Sequence, residues 1–339
     1  MSSTGRERIT IEVGGGGEES QNFLKNFLLK HLSNFLLDSL EDATCLNLPS
    51  KTIAFTTDSF TVKPLFFKGG DIGKLSVIGT LNDLAVMGAK PLYLSLSLII
   101  EEGFMSGDLE RILESISKAS RENEVLIVTG DTKVVPRGAV DGIFINTSGI
   151  GEVIYKGLSA RNLKPGDVIL LSGPIGDHGV CILAEREGFN FEVDLESDCA
   201  SLFPMLEPLF LANLELHAMR DPTRGGLAGV LYEWAQASKV DILIEEESIP
   251  LQPQVRVFCE ILGFEPYHLP SEGKAIIALP KREAPKALEL LRSHPLGERA
   301  RIIGEVINWS SKPRVFLKGP YGPIRVMELN NGEFLPRIC

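Results

Sequence analysis

Apolar and polar positions follow two periods along the first half of the chain. Apolar residues spaced three and four apart predict a helix over 23–37, a buried helix over 72–89 and an amphipathic helix over 106–123. Runs rich in β-branched and apolar residues predict strands at 52–59, 92–100, 124–132 and 142–153. Strands and helices therefore alternate, which is typical of an α/β domain.

The second half restarts after a Lys-Pro-Gly-Asp turn signal within 155–167. Its patterns predict helices near 179–188, 198–213, 226–238 and 283–293, and strands at "VILLSGPIG", 240–245, 274–279, 300–307 and 314–318. This half is also predicted to be α/β or α+β. We place an N-terminal domain at 1–155, a C-terminal domain at 156–325 and a flexible tail at 326–339. The last twelve residues of this tail, fully extended, reach roughly 40 Å. The tail is therefore long enough to enter a site elsewhere on the molecule.

Composition narrows the function classes. The 339 residues are 44% hydrophobic and 23% charged, with a net charge of −11, which disfavours binding to nucleic acid or anionic lipid. A polyphosphate ligand would then need a metal ion. The longest apolar run, "PLYLSLSLII", is too short to cross a bilayer, and the N-terminus has no apolar signal region. Five cysteines without C-x-x-C spacing indicate reduced thiols, so a cytoplasmic protein without membrane contact is expected.

A glycine run, "EVGGGGEES", precedes the first predicted helix. Backbone N–H groups of such a run can approach an anion at the start of a helix. A flexible loop explains the same residues equally well, because no Gly-Lys-Ser/Thr follows. The glycines concerned are Gly14, Gly15, Gly16 and Gly17.

Four aspartates lie beside or within apolar segments of the first half. A single aspartate there is usually a cap or a turn residue. Four in one domain favour a Mg²⁺ site, since Mg²⁺ takes oxygen ligands and bridges to phosphates. Spacing alone does not establish that they converge. The four are Asp42, Asp58, Asp83 and Asp131.

Other polar residues allow two interpretations each. Asp71 in "FFKGGDIGKLSV" is at a probable helix start and suits a cap. Lys133 in "TGDTKVVPRG", Glu272 in "LPSEGKAIIALP" and His178 in "GPIGDHGV" would, taken singly, be surface or structural residues. The segment "AMRDPTRGGLAG" (218–229) is either phosphate-facing or a tight connection.

Together these segments resemble the HypE family of hydrogenase maturation proteins, the carbamoyl dehydratases. The resemblance rests on "TTDSFTVKPLFFKGGDIGKLSVIGTLNDLAVMGAKP", then on "TGDTKVV", "GPIGDHGV", "DPTRGGLA" and "SEGK" in that order. The terminal "PRIC" is its most specific element. Two positions depart from the family pattern: Val13 stands where the family has histidine, and the paired acids appear as Glu41 and Asp42.

The resemblance implies a PurM-like two-domain fold, α/β followed by α+β, whose N-terminal domain contributes strands to a dimer barrel. It implies a homodimer with ATP near the subunit interface. It also implies two partners, the carbamoyltransferase HypF and the HypC–HypD complex.

The family chemistry implies a role for Cys339. This thiol would accept a carbamoyl group, and ATP with Mg²⁺ would drive its dehydration to a thiocyanate. Lys133 and Glu272 become the other catalytic candidates, and which of them removes the protons stays open. The nucleotide would contact Gly14 to Gly17, Asp71, Asn82 and Thr132. The metal would meet Asp42, Asp58, Asp83 and Asp131, with the choice between Glu41 and Asp42 left open.

Two alternatives remain. One is another phosphorylating enzyme of the same superfamily, of the selenophosphate synthetase or thiamine-phosphate kinase type. Selenophosphate synthetases carry a reactive residue near the N-terminus, whereas Cys45, the first cysteine here, is in an apolar stretch. The other is a non-catalytic maturation scaffold, which the retained aspartates disfavour.

Overall fold

The structure is a computed structural model. It describes residues 8–11, 22–39, 44, 46–49, 52–186, 194–329 and 339. Within these residues the predicted alternation of strands and helices is confirmed. No helix in these ranges has the length and apolarity needed to cross a membrane.

The first half forms a four-stranded sheet in the order β1-β6-β4-β5. Neighbouring strands are antiparallel except for the parallel pair β4–β5. More buried and less buried side chains alternate along β1 and β6, because one face of the sheet meets the core. Their bounds are β1 Ile53–Phe60, β4 Ala89–Glu101, β5 Leu126–Val135 and β6 Ile143–Val153, with a short hairpin of β2 Phe66–Phe67 and β3 Gly70–Asp71 between β1 and β4.

Helix α2 (Ile72–Val86) is buried nearly all round, as its continuous apolar sequence predicts. It packs on β1, β4 and β6 with one side, and with other sides on two helices, Ser106–Glu122 and Phe203–Leu211. Helix α3 (Ser106–Glu122) is amphipathic and covers the same sheet. Because α2 contacts both halves of the molecule, it can carry side chains into the junction between them.

The N-terminal helix is shorter than predicted. A π-helical turn at Leu24–Leu28 continues into α1 (Leu29–Leu32), and Ser33 is already extended. Asn34 then stabilises the turn that follows the helix: its side-chain Oδ1 accepts from the backbone N–H groups of residues 36 and 37, and its side-chain Nδ2 donates to Ile127 O at 2.8 Å.

The second half forms a seven-stranded sheet in the order β13-β12-β9-β11-β7-β10-β8. Its pairs are antiparallel except β12–β9. The central β7 and β10 are buried at every position, which explains their unbroken apolar sequences. The strands are β7 Asp167–Leu171, β8 Ala218–Arg220, β9 Val240–Glu245, β10 Ile276–Pro280, β11 Arg301–Trp309, β12 Val315–Lys318 and β13 Ile324–Val326.

Helices surround this sheet, and its strands contribute to two separate apolar clusters. One cluster includes Trp234 and Ile242, and the other includes Met205 and Leu291. Helix α7 and the short strands β8 and β13 are additions to the sequence-based assignment. The helices are α4 Asp177–Arg186, α5 Phe203–Leu211, α6 Gly226–Ser238, α7 Pro253–Leu262 and α8 Ala284–Arg292.

Candidate functional site

Two aspartates of the first domain meet where α2 packs on β1. Asp58 is on β1 and Asp83 is in the last turn of α2, and Thr56 of the same strand donates its hydroxyl to Asp83 Oδ2 at 2.8 Å. The helix approaches the strand closely because Gly79 has no side chain. A Cβ at that position would lie 2.9 Å from the ring of Phe60.

The second domain supplies two more carboxyl groups to the same place. Asp221 follows β8 and is 5% exposed, and Glu272 precedes β10 and is 1% exposed. They face a cavity of about 360 Å³, at the small end of the usual range for ligand pockets. Its lining includes Asp58, Asp83, Asp221, Arg224, Glu272 and Cys339.

Cys339 is held in this cavity by its backbone. Its main-chain oxygen accepts from the Thr61 backbone N–H at 3.0 Å and from the Thr61 hydroxyl at 3.3 Å. The partly buried side chain packs against an apolar cluster to which both halves of the chain contribute. The terminal thiol of the sequence therefore lies in the same cavity as Asp58 and Glu272.

The aspartates of the cavity are poorly solvated and repel one another. Burial, followed by the charge of Asp83, raises the pKa of Asp58 to about 6. The same two causes raise the pKa of the more deeply buried Asp221 to about 7. Burial also raises the pKa of Asp83, against the opposing hydrogen bond from Thr56. Such a group of carboxylates would be stabilised by a cation.

Mg²⁺ fits these ligands. It typically takes one or two carboxylates and completes its octahedron with water and substrate phosphate oxygens. Asp58 and Asp83 provide such carboxylates, and no three acidic, histidine or cysteine side chains among the described residues are grouped to hold an ion alone. The remaining ligands would then come from a nucleotide and from water.

Glu272 and Cys339 are electrostatically linked. Burial, and then the charge of Asp221, raises the pKa of Glu272 well above its ordinary value. Burial, and then the charge of Glu272, raises the pKa of the Cys339 thiol to about 12. Glu272 Oε1 is buried and has no hydrogen-bond partner in the described part of the chain. The cavity thus contains an unsatisfied acceptor beside the docked thiol.

Asp131 and Lys133 lie elsewhere, on the edge strand β5. The cross-strand register aligns Asp58 with Thr147, Thr147 with Leu96, and Leu96 with Gly130. Three strand spacings separate Asp58 from this edge, or about 14 Å.

The edge residues form an exposed ion pair of their own. Lys133 Nζ donates to Asp131 Oδ1 at 2.8 Å, and Thr132 donates its backbone N–H to the same oxygen at 2.9 Å. The hydrogen bond from Lys133 lowers the pKa of Asp131, the reverse of the shift at Asp58. A single chain therefore does not bring the two groups together.

Comparison with known proteins identifies the family. The N-terminal domain of AIR synthase related proteins matches residues 40–153, and the C-terminal domain of the same family matches residues 164–315. The chain is 45% identical over 334 residues to the carbamoyl dehydratase HypE of Azotobacter vinelandii, covering 98% of this chain and 97% of that protein. The chain belongs to the HypE family. It is also 42% identical over 340 residues to carbamoyl dehydratase HypE of Escherichia coli K12, covering 98% and 99%.

Solved HypE structures share the fold over nearly the whole chain. A crystal structure of hydrogenase maturation protein HypE in complex with ATP matches with a TM-score of 0.93 and 45% identity, covering 97% of this chain and 99% of that one. A HypE–HypF complex matches with a TM-score of 0.79 and 45% identity, covering 91% and 99%. Thiamine monophosphate kinase from Aquifex aeolicus, at 20% identity and a TM-score of 0.58, shares the fold alone. These findings confirm the predicted HypE family and PurM-like two-domain fold.

The HypE resemblance assigns Asp71 and Asn82 to the nucleotide, and both side chains have hydrogen-bond partners within the protein. Asp71 caps α2, with Oδ1 accepting from the Lys74 backbone N–H at 3.0 Å and Oδ2 accepting from the Ser115 hydroxyl at 2.5 Å. Asn82 is fully buried, and its amide donates to the carbonyl oxygens of Ala200 and Glu272. These two bonds occupy the Asn82 side-chain N–H groups, and a contact between Asn82 and a nucleotide stays a prediction.

Several HypE-derived predictions lie outside the described residues. These are the glycines Gly14 to Gly17, Val13, Glu41 and Asp42. In contrast, the charged residues Asp221 and Arg224 line the cavity but are not in the predicted set. The signal for both was the "DPTRGG" segment, whose residues 221 and 224 face the cavity while Gly225 and Gly226 take left-handed conformations at the start of α6.

Proposed function

We propose that the chain is an ATP-dependent dehydratase that converts a carbamoyl group, carried as an S-carboxamide on Cys339, into a thiocyanate. The product would supply cyanide ligands to the iron of [NiFe]-hydrogenase during maturation. One observation carries the proposal: Cys339 docks in a cavity beside a buried carboxyl group that has an oxygen without a partner among the described residues. The names of the HypE relatives support it.

The reaction needs a better leaving group than an amide oxygen. The carbamoyl oxygen attacks the γ-phosphorus of ATP, a P–O bond forms, and ADP leaves with the electrons of the broken bond. The nitrogen then loses its two protons as the C–O bond breaks, and inorganic phosphate departs with the oxygen. The remaining carbon–nitrogen triple bond stays on sulfur, so the atoms and electrons balance without an oxidant or reductant.

Glu272 is the base that the cavity favours over Lys133. It is buried beside Cys339, whereas Lys133 is exposed on β5 and paired with Asp131. A carboxyl group with a raised pKa is a stronger base when ionised, and its free Oε1 can accept an N–H of the carboxamide. Arg224, at the same cavity, is placed to offset the negative charge of a transferring phosphoryl group.

Asp58 and Asp83 would hold Mg²⁺ in this scheme. The ion would neutralise charge on the nucleotide phosphates. Arg220 and Arg224 already lower the pKa of Asp83 in opposition to burial. The carboxylates are therefore partly compensated by protein cations, and an added Mg²⁺ would complete that compensation.

A homodimer would bring in the residues that one chain leaves apart. β5 is an edge of the four-stranded sheet, and its Asp131 and Lys133 are exposed on that edge. An edge strand can join a second copy through its free backbone groups. We infer that Asp131 and Lys133 of one subunit act at the nucleotide site of its partner.

Loading of the carbamoyl group needs the tail to leave the cavity. The thiolate is the nucleophile, and docking raises the pKa of the Cys339 thiol to about 12. An undocked tail would regain an ordinary thiol pKa and could present the sulfur to the carbamoyltransferase HypF. A HypE relative has been crystallised with HypF. Delivery to HypC–HypD would need the same release, and the whole cycle would run in the cytoplasm.

Intact-mass spectrometry tests the proposal. The protein is incubated with HypF, carbamoyl phosphate and ATP, and the mass of Cys339 is followed by tail-peptide analysis. We expect a carbamoyl adduct that then loses one water. A stable adduct that never loses water in the presence of ATP and Mg²⁺ would refute the dehydratase assignment.

A further inference from the structure

Glu272 is held by its backbone from two directions. Its N–H donates to Asp198 Oδ1 at 3.0 Å, and its carbonyl oxygen accepts from Asn82 Nδ2 at 2.9 Å. These two bonds fix the peptide groups on either side of the Glu272 Cα, so they set the direction in which its side chain leaves the backbone.

The partners of Glu272 are themselves fixed. Asn82 also donates to Ala200 O at 3.1 Å and accepts from the Leu202 backbone N–H at 2.9 Å. Asn82 therefore joins α2, segment 200–202 and the Glu272 loop. The loop is pressed against Asp198 so tightly that a Cβ at Gly273 would lie 1.9 Å from the Asp198 carbonyl oxygen.

Asp198 also forms a buried ion pair with Lys274. Lys274 Nζ is 3.3 Å from Asp198 Oδ2, and the side chains are only 7% and 4% exposed. Asp177 is also buried, and burial, followed by the charge of Asp198, raises the pKa of Asp177 to about 7. Buried ion pairs are seldom more stable than apolar side chains of the same size, because both charges lose hydration. A gain in folding stability is therefore a weak explanation for the presence of the Asp198–Lys274 ion pair.

We propose that Asp198 and Asn82 are positioning residues that clamp Glu272 so that its carboxyl group faces the docked Cys339. One oxygen of Asp198 accepts the hydrogen bond from Glu272 N–H, and Lys274 Nζ lies 3.3 Å from the other oxygen of the same carboxyl group. This inference rests on the proposed dehydratase function and deepens it. It assigns roles to Asn82, Asp198 and Lys274, which do not line the cavity.

Two double variants test whether the hydrogen bond from Glu272 N–H to Asp198 positions the Glu272 side chain. Asp198→Asn with Lys274→Met removes both charges and keeps an oxygen that accepts from Glu272 N–H. Asp198→Leu with Lys274→Met removes the same charges and has no acceptor. Neither variant leaves an unpaired buried charge, which is the usual cause of severe destabilisation at such sites.

The measurement is single-turnover dehydration of carbamoylated protein, together with the KM for ATP. We expect the Asn variant to react within a few-fold of the wild type. The Leu variant should be on the order of 10²-fold slower, because a misplaced base is worth about that much. The KM for ATP should be unchanged in both. If the Leu variant does not fold, Asp198→Ala with Lys274→Met supplies the same comparison.

Asp167→Asn is the matched control. Asp167 is another buried carboxylate of the second domain. Its Oδ2 lies 2.7 Å from His217 Nδ1, and the residue does not line the cavity. It should lose stability without losing dehydration rate. Equal rates for the Asn and Leu double variants would overturn the clamp. A wild type that never forms thiocyanate would instead refute the proposed function.

Discussion

The cavity and the β5 edge differ although their sequences look alike. Asp58 and Asp131 both fall in apolar, β-rich segments. Asp58 is partly buried among other carboxyl groups, and burial raises its pKa to about 6. Asp131 is exposed beside Lys133, which lowers its pKa. The same signal therefore precedes opposite electrostatic environments.

This difference indicates that the cavity and the β5 edge contribute to the reaction in different ways. The cavity has poorly satisfied charges in place before a ligand arrives, as expected for a preorganised site. The edge pair is satisfied by itself, so it can be recruited only by something that approaches β5. A second subunit is the simplest such partner, and the following experiments separate the two regions.

Cys339→Ala should have the largest effect. Without the thiol no carboxamide can be carried, so thiocyanate formation should fall to zero by intact-mass spectrometry. The fold and Mg-ATP affinity should remain, because Cys339 contributes only part of one side chain to the core. Product at the wild-type yield would remove Cys339 from the mechanism.

Glu272→Gln should slow dehydration by about 10²- to 10⁴-fold, the usual contribution of a general base. Carbamoylation by HypF should proceed at the wild-type rate, since that step takes place away from the cavity. Rapid-quench analysis of preloaded protein separates the two steps. An unchanged dehydration rate would move the base to Lys133 or elsewhere.

Glu272→Gln should also change the pH dependence of the free energy of unfolding, in a direction set by the pKa of Glu272. The pKa of Glu272 is raised in the folded protein, so its protonated form stabilises the fold at low pH, and this contribution is lost as pH rises through the folded pKa. Gln cannot ionise. The variant should therefore gain stability relative to wild type at high pH and not below the ordinary glutamate pKa.

Mixing two inactive variants tests the shared site. Glu272→Gln and Lys133→Met should each be impaired alone. In a random mixture, half the dimers are mixed and each regains one intact site, so about one quarter of wild-type activity should return. Titration of one variant into the other gives the measurement, and Glu272→Gln mixed with Cys339→Ala is the control. The absence of recovery would refute the proposal that Lys133 of one subunit acts at the site of its partner.

Sequence patterns predicted the long elements because their periodicity reflects burial directly. Helix α7 was also detectable, since Pro253 is in its first turn and Gly263 ends it in a left-handed conformation. The three-residue strands β8 and β13 were not, because pairing with a neighbour, rather than their own sequence, makes them strands.

The site was predictable only in part, and for a similar reason. The resemblance supplied Glu272 and Cys339, but burial of Glu272 depends on contacts with Asp198 and Asn82 that are 74 and 190 residues away in sequence. For Asp221 and Asp131 the sequence motifs could be recognised, but the location of the side chains could not. Only the fold determines that Asp221 faces the cavity and that Asp131 does not.

The smallest expected effects concern stability in the absence of metal. Burial raises the pKa of Asp58 from 3.8 to about 6, so the wild type loses stability as pH rises between these values. Asp58→Asn should thus raise the free energy of unfolding above pH 6, on the order of 1 kcal/mol after allowing for solvent screening. Asp131 has a lowered pKa, and Asp131→Asn should lower stability by at most about 0.5 kcal/mol. Urea unfolding at pH 4 and pH 8 measures both, and changes of the same sign would contradict the contrast between cavity and edge.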